Sequence, residues 1–228
     1  NPSGVSVTTI EGWRREQIAQ ALEIAFDDKN SNYNMDDFML LTENMEGTLF
    51  PDTYQFEVFA PTEKIIKIMH DRYLEIVGKM MPQGQAKLYS EEQLTIVASL
   101  LEREAKTESD RRIVAGVLFN RLENGIPLQI DATLQYVKAT RICPVINTCS
   151  NWWPSPSSDD KDLVSPYNTY LNVGLPPLPI ANPGKNTLVA AHEPITTDNY
   201  YYLTDNVGIT HFAKTYDQHL VNINTYLK

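Results

Sequence analysis

Basic residues are scarce in this chain. Of its 228 residues, 19 are Lys or Arg against 29 Asp or Glu, which leaves a formal net charge of −10. Nucleic-acid backbones are gripped by clustered Lys and Arg, and no basic patch with interleaved aromatics occurs, so a nucleic-acid partner is not expected. A neutral or weakly charged substrate suits this surface better, although acidity also serves plain solubility. Histidine is rarer still, at four residues. His70, His192, His211 and His219 form neither an HExxH nor an i, i+4 pair, and Pro194 breaks any metalloprotease-like helix after His192-Glu193. Neither a metal site nor a cofactor is expected. A GxSxG elbow and a Gly-rich phosphate loop are also missing, which weakens serine-nucleophile and nucleotide readings. The most apolar stretch, residues 94–101, falls far short of the ~20 residues that cross a membrane.

Cysteine is limited to Cys143 and Cys149, flanking a short loop. With no His nearby they make a poor zinc site. They are either a disulfide, which would imply an oxidising compartment, or two free thiols.

What the chain does contain is enough length and hydrophobicity, 42%, for one or two domains with a substantial core. Patterning predicts an α+β fold of mixed helices and short strands. β-Branched residues 5–10 read as a strand, 11–26 and 36–43 as helices, and 55–59 as a strand. A helix opened by Pro61 with Thr62 as a cap runs to Gly78. Residues 81–85 form a turn or linker, which divides the chain into an N-terminal α+β part, 1–83, and a second part, 84–228. Ser90-Glu-Glu-Gln93 has capping-box form. The helix it opens carries Leu94, Val97, Ala98, Leu101 and Ala105 on one face. A second helix, 109–124, ends at Asn124-Gly125, where Gly tolerates the left-handed conformation. These two helices are expected to pack antiparallel as a central pair. Beyond them the chain turns rich in Pro, Asn and aromatics. Residues 128–136 could begin as a strand and turn helical, 143–162 read as a long surface loop, and 175–179 are too Pro-rich for regular structure. A short helix over 186–191, a hairpin pairing 200–204 with 209–213, and a closing helix over 215–227 complete the pattern. Long Pro-rich loops in a compact domain are commonly functional.

Glu102 follows directly on the apolar stripe, about 40° round the helix from Ala98. A carboxyl at such an edge is partly desolvated, the condition under which a carboxylic acid can hold a proton to donate near neutral pH. Periodicity alone favours a plainer role, a flank residue paired with Arg103 or Lys106. Glu104 points about 200° away, so the two are no dyad on this helix. Gln129, Asp131, Thr133, Asn168 and Tyr170 supply polar groups downstream, and Tyr167, Tyr170, Trp152 and Trp153 add flat faces. Amides that bind hydroxyls and rings that stack on sugar C–H surfaces suit a glycan groove, as they also suit ordinary loops.

Several blocks, in order, resemble the endolytic murein transglycosylase (YceG-like) family. They are Glu11-Gly-Trp13; Glu46-Gly-Thr-Leu-Phe-Pro-Asp-Thr-Tyr54; Ala98-Ser-Leu-Leu-Glu-Arg-Glu104; Val117-Leu-Phe-Asn-Arg-Leu122; Leu128-Gln-Ile-Asp131; Ser165-Pro-Tyr-Asn-Thr-Tyr170; Gly174-Leu-Pro-Pro177; and Pro179-Ile-Ala-Asn-Pro183. The resemblance implies a lytic transglycosylase that cleaves the MurNAc–GlcNAc bond of peptidoglycan glycan strands and leaves 1,6-anhydro-MurNAc ends. It places the catalytic acid/base on Glu102, the first Glu of the ExE block. Glu104, Gln129, Asp131, Thr133, Ser165, Tyr167, Asn168 and Tyr170 become substrate-binding candidates. It further implies action outside the cytoplasm, anchoring by an N-terminal helix that this chain does not show, and cell-wall synthesis proteins as partners. Ala105 and Ala132 stand where Thr and Pro are common, and the 143–162 loop has no counterpart in the pattern. A non-catalytic glycan-binding domain of the same fold is the competing expectation.

Overall fold

A computed structural model describes residues 4–27, 29–105 and 107–227. Asn1 to Ser3, where the chain opens without Met, and Lys106, the alternative partner for Glu102, lie outside the described residues. The fold is α+β. Strand β1 (Val5–Thr8) pairs antiparallel with β2 (Thr53–Phe56), Val5 opposite Phe56 and Thr8 opposite Thr53. That register carries Val5, Val7, Tyr54 and Phe56 to the buried side. It also shifts the second strand forward from the expected 55–59, because Ala60 N–H turns back onto the Glu57 carbonyl.

Helix α1 (Arg15–Phe26) begins four residues later than periodicity implied. Gly12 sits at φ 79° and its N–H is spent on the Asn182 carbonyl, so residues 11–14 form a turn. Helix α2 (Met35–Leu41) is capped by the Asn34 side chain. Helix α3 (Thr62–Val77) starts after Pro61, but Thr62 does not cap it: its hydroxyl receives the Asn34 N–H, stitching α2 to α3. Ile65, Ile66 and Met69 of α3 join β1, β2 and α1 in one core, and Tyr73, Ile76 and Val77 join a second.

The second core is built round α4 (Glu91–Glu104) and α5 (Glu108–Glu123), which pack on each other. Ser90 and Gln93 form the reciprocal capping box at the start of α4, and Thr107 caps α5. Helix α7 (Lys185–His192) packs against both, with Leu188, Ala190 and Ala191 fully buried. Helix α6 (Asp131–Ile142) replaces the strand expected at its start, because the Gln129 and Ile130 N–H groups are taken one-sidedly by Thr169. Strands β3 (Tyr201–Thr204) and β4 (Thr210–Ala213) form the hairpin, and α8 (Tyr216–Tyr226) folds against it.

The 143–162 segment is more than a surface loop. Cys143 and Cys149 are disulfide-bonded, with Cα atoms 5.3 Å apart. Gln20 of α1 donates to the Ile146 and Cys149 carbonyls and accepts from Trp152 Nε1. Arg14 lies over the Trp152 ring at 5.0 Å. Trp152 is therefore buried, and Trp153 packs under the Arg103 guanidinium at 4.0 Å. Both rings dock the segment onto its neighbours. Among the described residues no helix is long and apolar enough to cross a membrane.

Candidate active site

The last turn of α4 presents two glutamates to two different places. Glu102, 6% exposed in its side chain, points to the start of α7. Its Oε2 accepts the Gly184 N–H at 2.8 Å and a hydrogen bond from the Thr187 hydroxyl. Gly184 is the N-cap of α7, so a carboxylate from another helix answers donors that α7 cannot satisfy itself, at the positive end of its dipole. On the other oxygen, Arg111 Nη2 lies 3.5 Å away, and Arg111 Nε also holds the Ala105 carbonyl. Glu11 crowds the same point. Burial pushes its carboxyl up, the Glu102 charge adds to this, and Arg111 opposes it. A side chain at Gly184 would run into the Glu11 carboxylate. Glu102 thus ties α4, α5 and α7 together.

Glu104 faces an open cleft of about 430 Å³. Gln129, Asp131, Tyr170, Tyr202, Tyr216 and His219 line it, with Arg121 and Lys161 as the cations. Tyr202 donates to Glu104 Oε2 at 2.9 Å. Burial pushes the Glu104 carboxyl up to about 6, and the Asp131 charge adds to this. The Tyr202 hydroxyl, the Ala132 N–H and Arg103 pull the other way without cancelling the effect. A carboxyl so placed exchanges a proton near neutral pH. Asp131, first residue of α6, accepts from Tyr170 O–H at 2.6 Å. Gln129 sits at φ 56°, an uncommon conformation that its N–H bond to the Thr169 carbonyl helps hold.

The structure therefore brings Glu104, Gln129, Asp131 and Tyr170 to one cleft and leaves Glu102 out of its walls. Thr133 is fully buried and its hydroxyl is committed to the Ile130 carbonyl and the Thr169 hydroxyl. Asn168, also fully buried, spends its amide on the Lys161 and Leu163 carbonyls and on Tyr170 N–H. These two shape the loop that presents Tyr170. Ser165 and Tyr167 face a separate cavity of about 330 Å³ with Tyr136 and Arg141. Tyr202, Tyr216 and His219 went unsuspected in the sequence because a hairpin and a terminal helix carry no motif of chemistry.

This site and fold define a YceG-like protein: the family model matches residues 1–225, and the chain belongs to the YceG-like family. It is similar to an endolytic murein transglycosylase of Bacillus subtilis (strain 168), 36% identical over 179 residues, covering 77% of this chain and 46% of the relative. A protein of the same name from Streptococcus pneumoniae serotype 2 is 28% identical over 180 residues, covering 78% of this chain and 32% of the relative. The chain spans less than half the length of these curated relatives. A crystal structure of a YceG-like protein from Listeria monocytogenes superposes with a TM-score of 0.74 at 25% identity, over 96% of this chain and 76% of that one.

Proposed function

We propose that this chain is the catalytic part of a peptidoglycan lytic transglycosylase in which Glu104, rather than Glu102, is the acid and base. The observation that carries the reading is a carboxyl raised to about 6 in the wall of an open, polar, ring-bordered cleft. Family membership and the names of the relatives support murein glycan strands as substrate.

Protonated Glu104 gives its proton to the glycosidic oxygen, and the bond from that oxygen to C1 of MurNAc breaks. Positive charge develops on the sugar ring, beside Asp131. Glu104, now a carboxylate, takes the proton of the sugar's own C6 hydroxyl as O6 bonds to C1, closing a 1,6-anhydro ring. One carboxyl serves both half-steps because the nucleophile is internal, whereas hydrolysis engages a second carboxylate. Tyr202 holds the carboxyl in the cleft wall by donating to its Oε2. The Cys143–Cys149 disulfide supports action outside the cytoplasm.

Asp131 in the same cleft favours one competing reading, a hydrolase in which Asp131 activates water. Mass spectrometry of fragments from purified glycan strands separates the two. A 1,6-anhydro terminus, lighter by one water, is expected; a reducing MurNAc end would identify the hydrolase, and glycan binding without cleavage would identify a non-catalytic domain.

A further inference from the structure

We infer that Arg121 recognises the N-acetyl group of the sugar held in the cleft, its guanidinium donating to the acetamide carbonyl oxygen. This rests on the reading of the cleft as a glycan site and concerns a side chain to which the acid–base chemistry assigns nothing. Arg121 belongs to the Val117–Leu122 block, near the end of α5. It lines the cleft with Glu104, Gln129 and Asp131, although only 7% of it is exposed. A buried cation is usually paired with a carboxylate, whereas the protein partners of Arg121 are backbone carbonyls.

Most of its donors are spent. Nε donates to the Tyr200 carbonyl at 2.6 Å, and Nη1 serves the Pro127 carbonyl at 3.1 Å and the Leu128 carbonyl at 2.9 Å. The guanidinium lies over the Tyr201 ring, 5.1 Å from its centroid. Nη2 keeps its N–H groups without an acceptor among the described residues. It is not closed in, because the buried side-chain polar atoms that lack a partner there are Glu91 Oε1 and His219 Nδ1. The small exposed part of Arg121 therefore includes Nη2, and the cleft is the cavity it borders. The carbonyl bonds fix the guanidinium plane in advance, so a ligand that uses Nη2 costs little side-chain freedom.

A guanidinium only donates, so the ligand atom must be an acceptor. Carboxylates dock on arginine through parallel bonds from neighbouring nitrogens, and here Nε and Nη1 are already committed. A single oxygen fits the one nitrogen that remains. On a strand of N-acetylated sugars the acetamide carbonyl is the strongest uncharged acceptor, and its bond to a cation is of the charge-assisted kind. Removing the acetyl group turns that acceptor into an ammonium. The ammonium would meet Arg121 with like charge, and Lys161, held 5.0 Å from the Tyr170 ring centroid, lines the same cleft. Of the two carboxyls there, Glu104 is protonated in its acid form and Asp131 is engaged by Tyr170, which leaves the cations to set the preference.

The test uses the whole chain with isotope-labelled arginine and two probes of equal length, the tetramers of N-acetylglucosamine and of glucosamine. The acetylated tetramer should bind about 10- to 100-fold more tightly and shift the Arg121 signals saturably, while the glucosamine tetramer leaves them in place. Arg121→Lys, which assigns those signals by their loss, should bring the two affinities within a few-fold of each other. Melting is followed beside it because the change frees the Tyr200, Pro127 and Leu128 carbonyls. If that variant does not fold, the two probes on the unchanged protein decide. Arg121 signals unmoved by the acetylated tetramer, or equal affinity for both tetramers, overturn the inference even where glycan strands are cleaved as proposed. Shifted signals and a clear preference in a protein that releases no fragments from glycan strands would leave this inference standing and remove the transglycosylase reading instead.

Discussion

Exchanging each glutamate of the α4 terminus for glutamine separates the proton from everything else these side chains do. At Glu104, glutamine keeps the volume and an oxygen for the Tyr202 hydroxyl, 2.9 Å away, but cannot transfer a proton. General acid–base groups typically contribute ~10²–10⁴-fold, and a residue used in both half-steps belongs at the top of that range, about 5 kcal/mol of barrier. At Glu102, glutamine still accepts the Gly184 N–H but loses the charge facing Arg111 and the start of α7. That loss should appear as stability, about 1–3 kcal/mol, with activity within about tenfold of wild type at temperatures where the variant is folded. Release of soluble fragments from glycan strands, measured beside thermal melting, reads both effects. The pH profile adds a sign. With the acid form required and the Glu104 carboxyl near 6, kcat/KM should fall about tenfold per unit above that pH. The Tyr202 hydroxyl favours the carboxylate, so Tyr202→Phe should move this limb upward by about one unit, roughly 1.4 kcal/mol. Wild-type rates in a folded Glu104→Gln protein would refute the assignment. So would a Glu102→Gln protein of unchanged stability that is as inactive as Glu104→Gln.

Three further outcomes test the framework around the site. Reducing Cys143–Cys149 should cost on the order of 2–3 kcal/mol by the chain-entropy model, read as a lower melting temperature with and without reductant; no change would mean the Trp152 docking holds the segment alone. Burial, with the Glu16 charge adding to it, holds the Glu46 carboxyl well above the usual carboxylate range. The folded state then keeps a proton that the unfolded chain releases above about pH 4.3, so stability should decline as pH rises from there, and Glu46→Gln should flatten the denaturant-midpoint curve. Gly116→Ala would drive a methyl into the Ile195 carbonyl oxygen. Backbone cannot yield as a side chain tip can, and a loss of about 1–3 kcal/mol or more is expected in urea melts.

Periodicity located the central helices well because their signals are local. The apolar stripe of α4 and its Ser90–Gln93 box need no distant partner to be recognised. Elements whose boundaries depend on remote contacts were read less well. Residues 11–14 form a turn because Asn182 takes the Gly12 N–H, and Ile130 stays unpaired as a strand because Thr169 captures its N–H. Thr62 has the composition of a cap, yet its hydroxyl serves Asn34. The small buried cluster of Ala139, Cys149 and Trp152 depends on Gln20 reaching across from α1, and no window along the sequence contains both.

The two glutamates show the same division at the scale of chemistry. Helical geometry alone separates Glu102 and Glu104 by about 200°, so one sequence motif necessarily addresses two surroundings. Which of them holds the exchangeable proton depends on what faces each side, and that is supplied by segments some 80 to 100 residues away: Gly184 and Thr187 for one, Tyr202 for the other. Edge-of-core position is a sound criterion for a desolvated carboxyl, but it does not distinguish a carboxylate given backbone N–H donors from one left beside open volume. A carboxylate at a helix N-terminus answers the free N–H groups there and complements the dipole. One beside a second carboxylate in a partly dry cleft is pushed toward the protonated form. The proposal that Glu104 carries the proton while Glu102 anchors the frame is what the paired glutamine exchanges test.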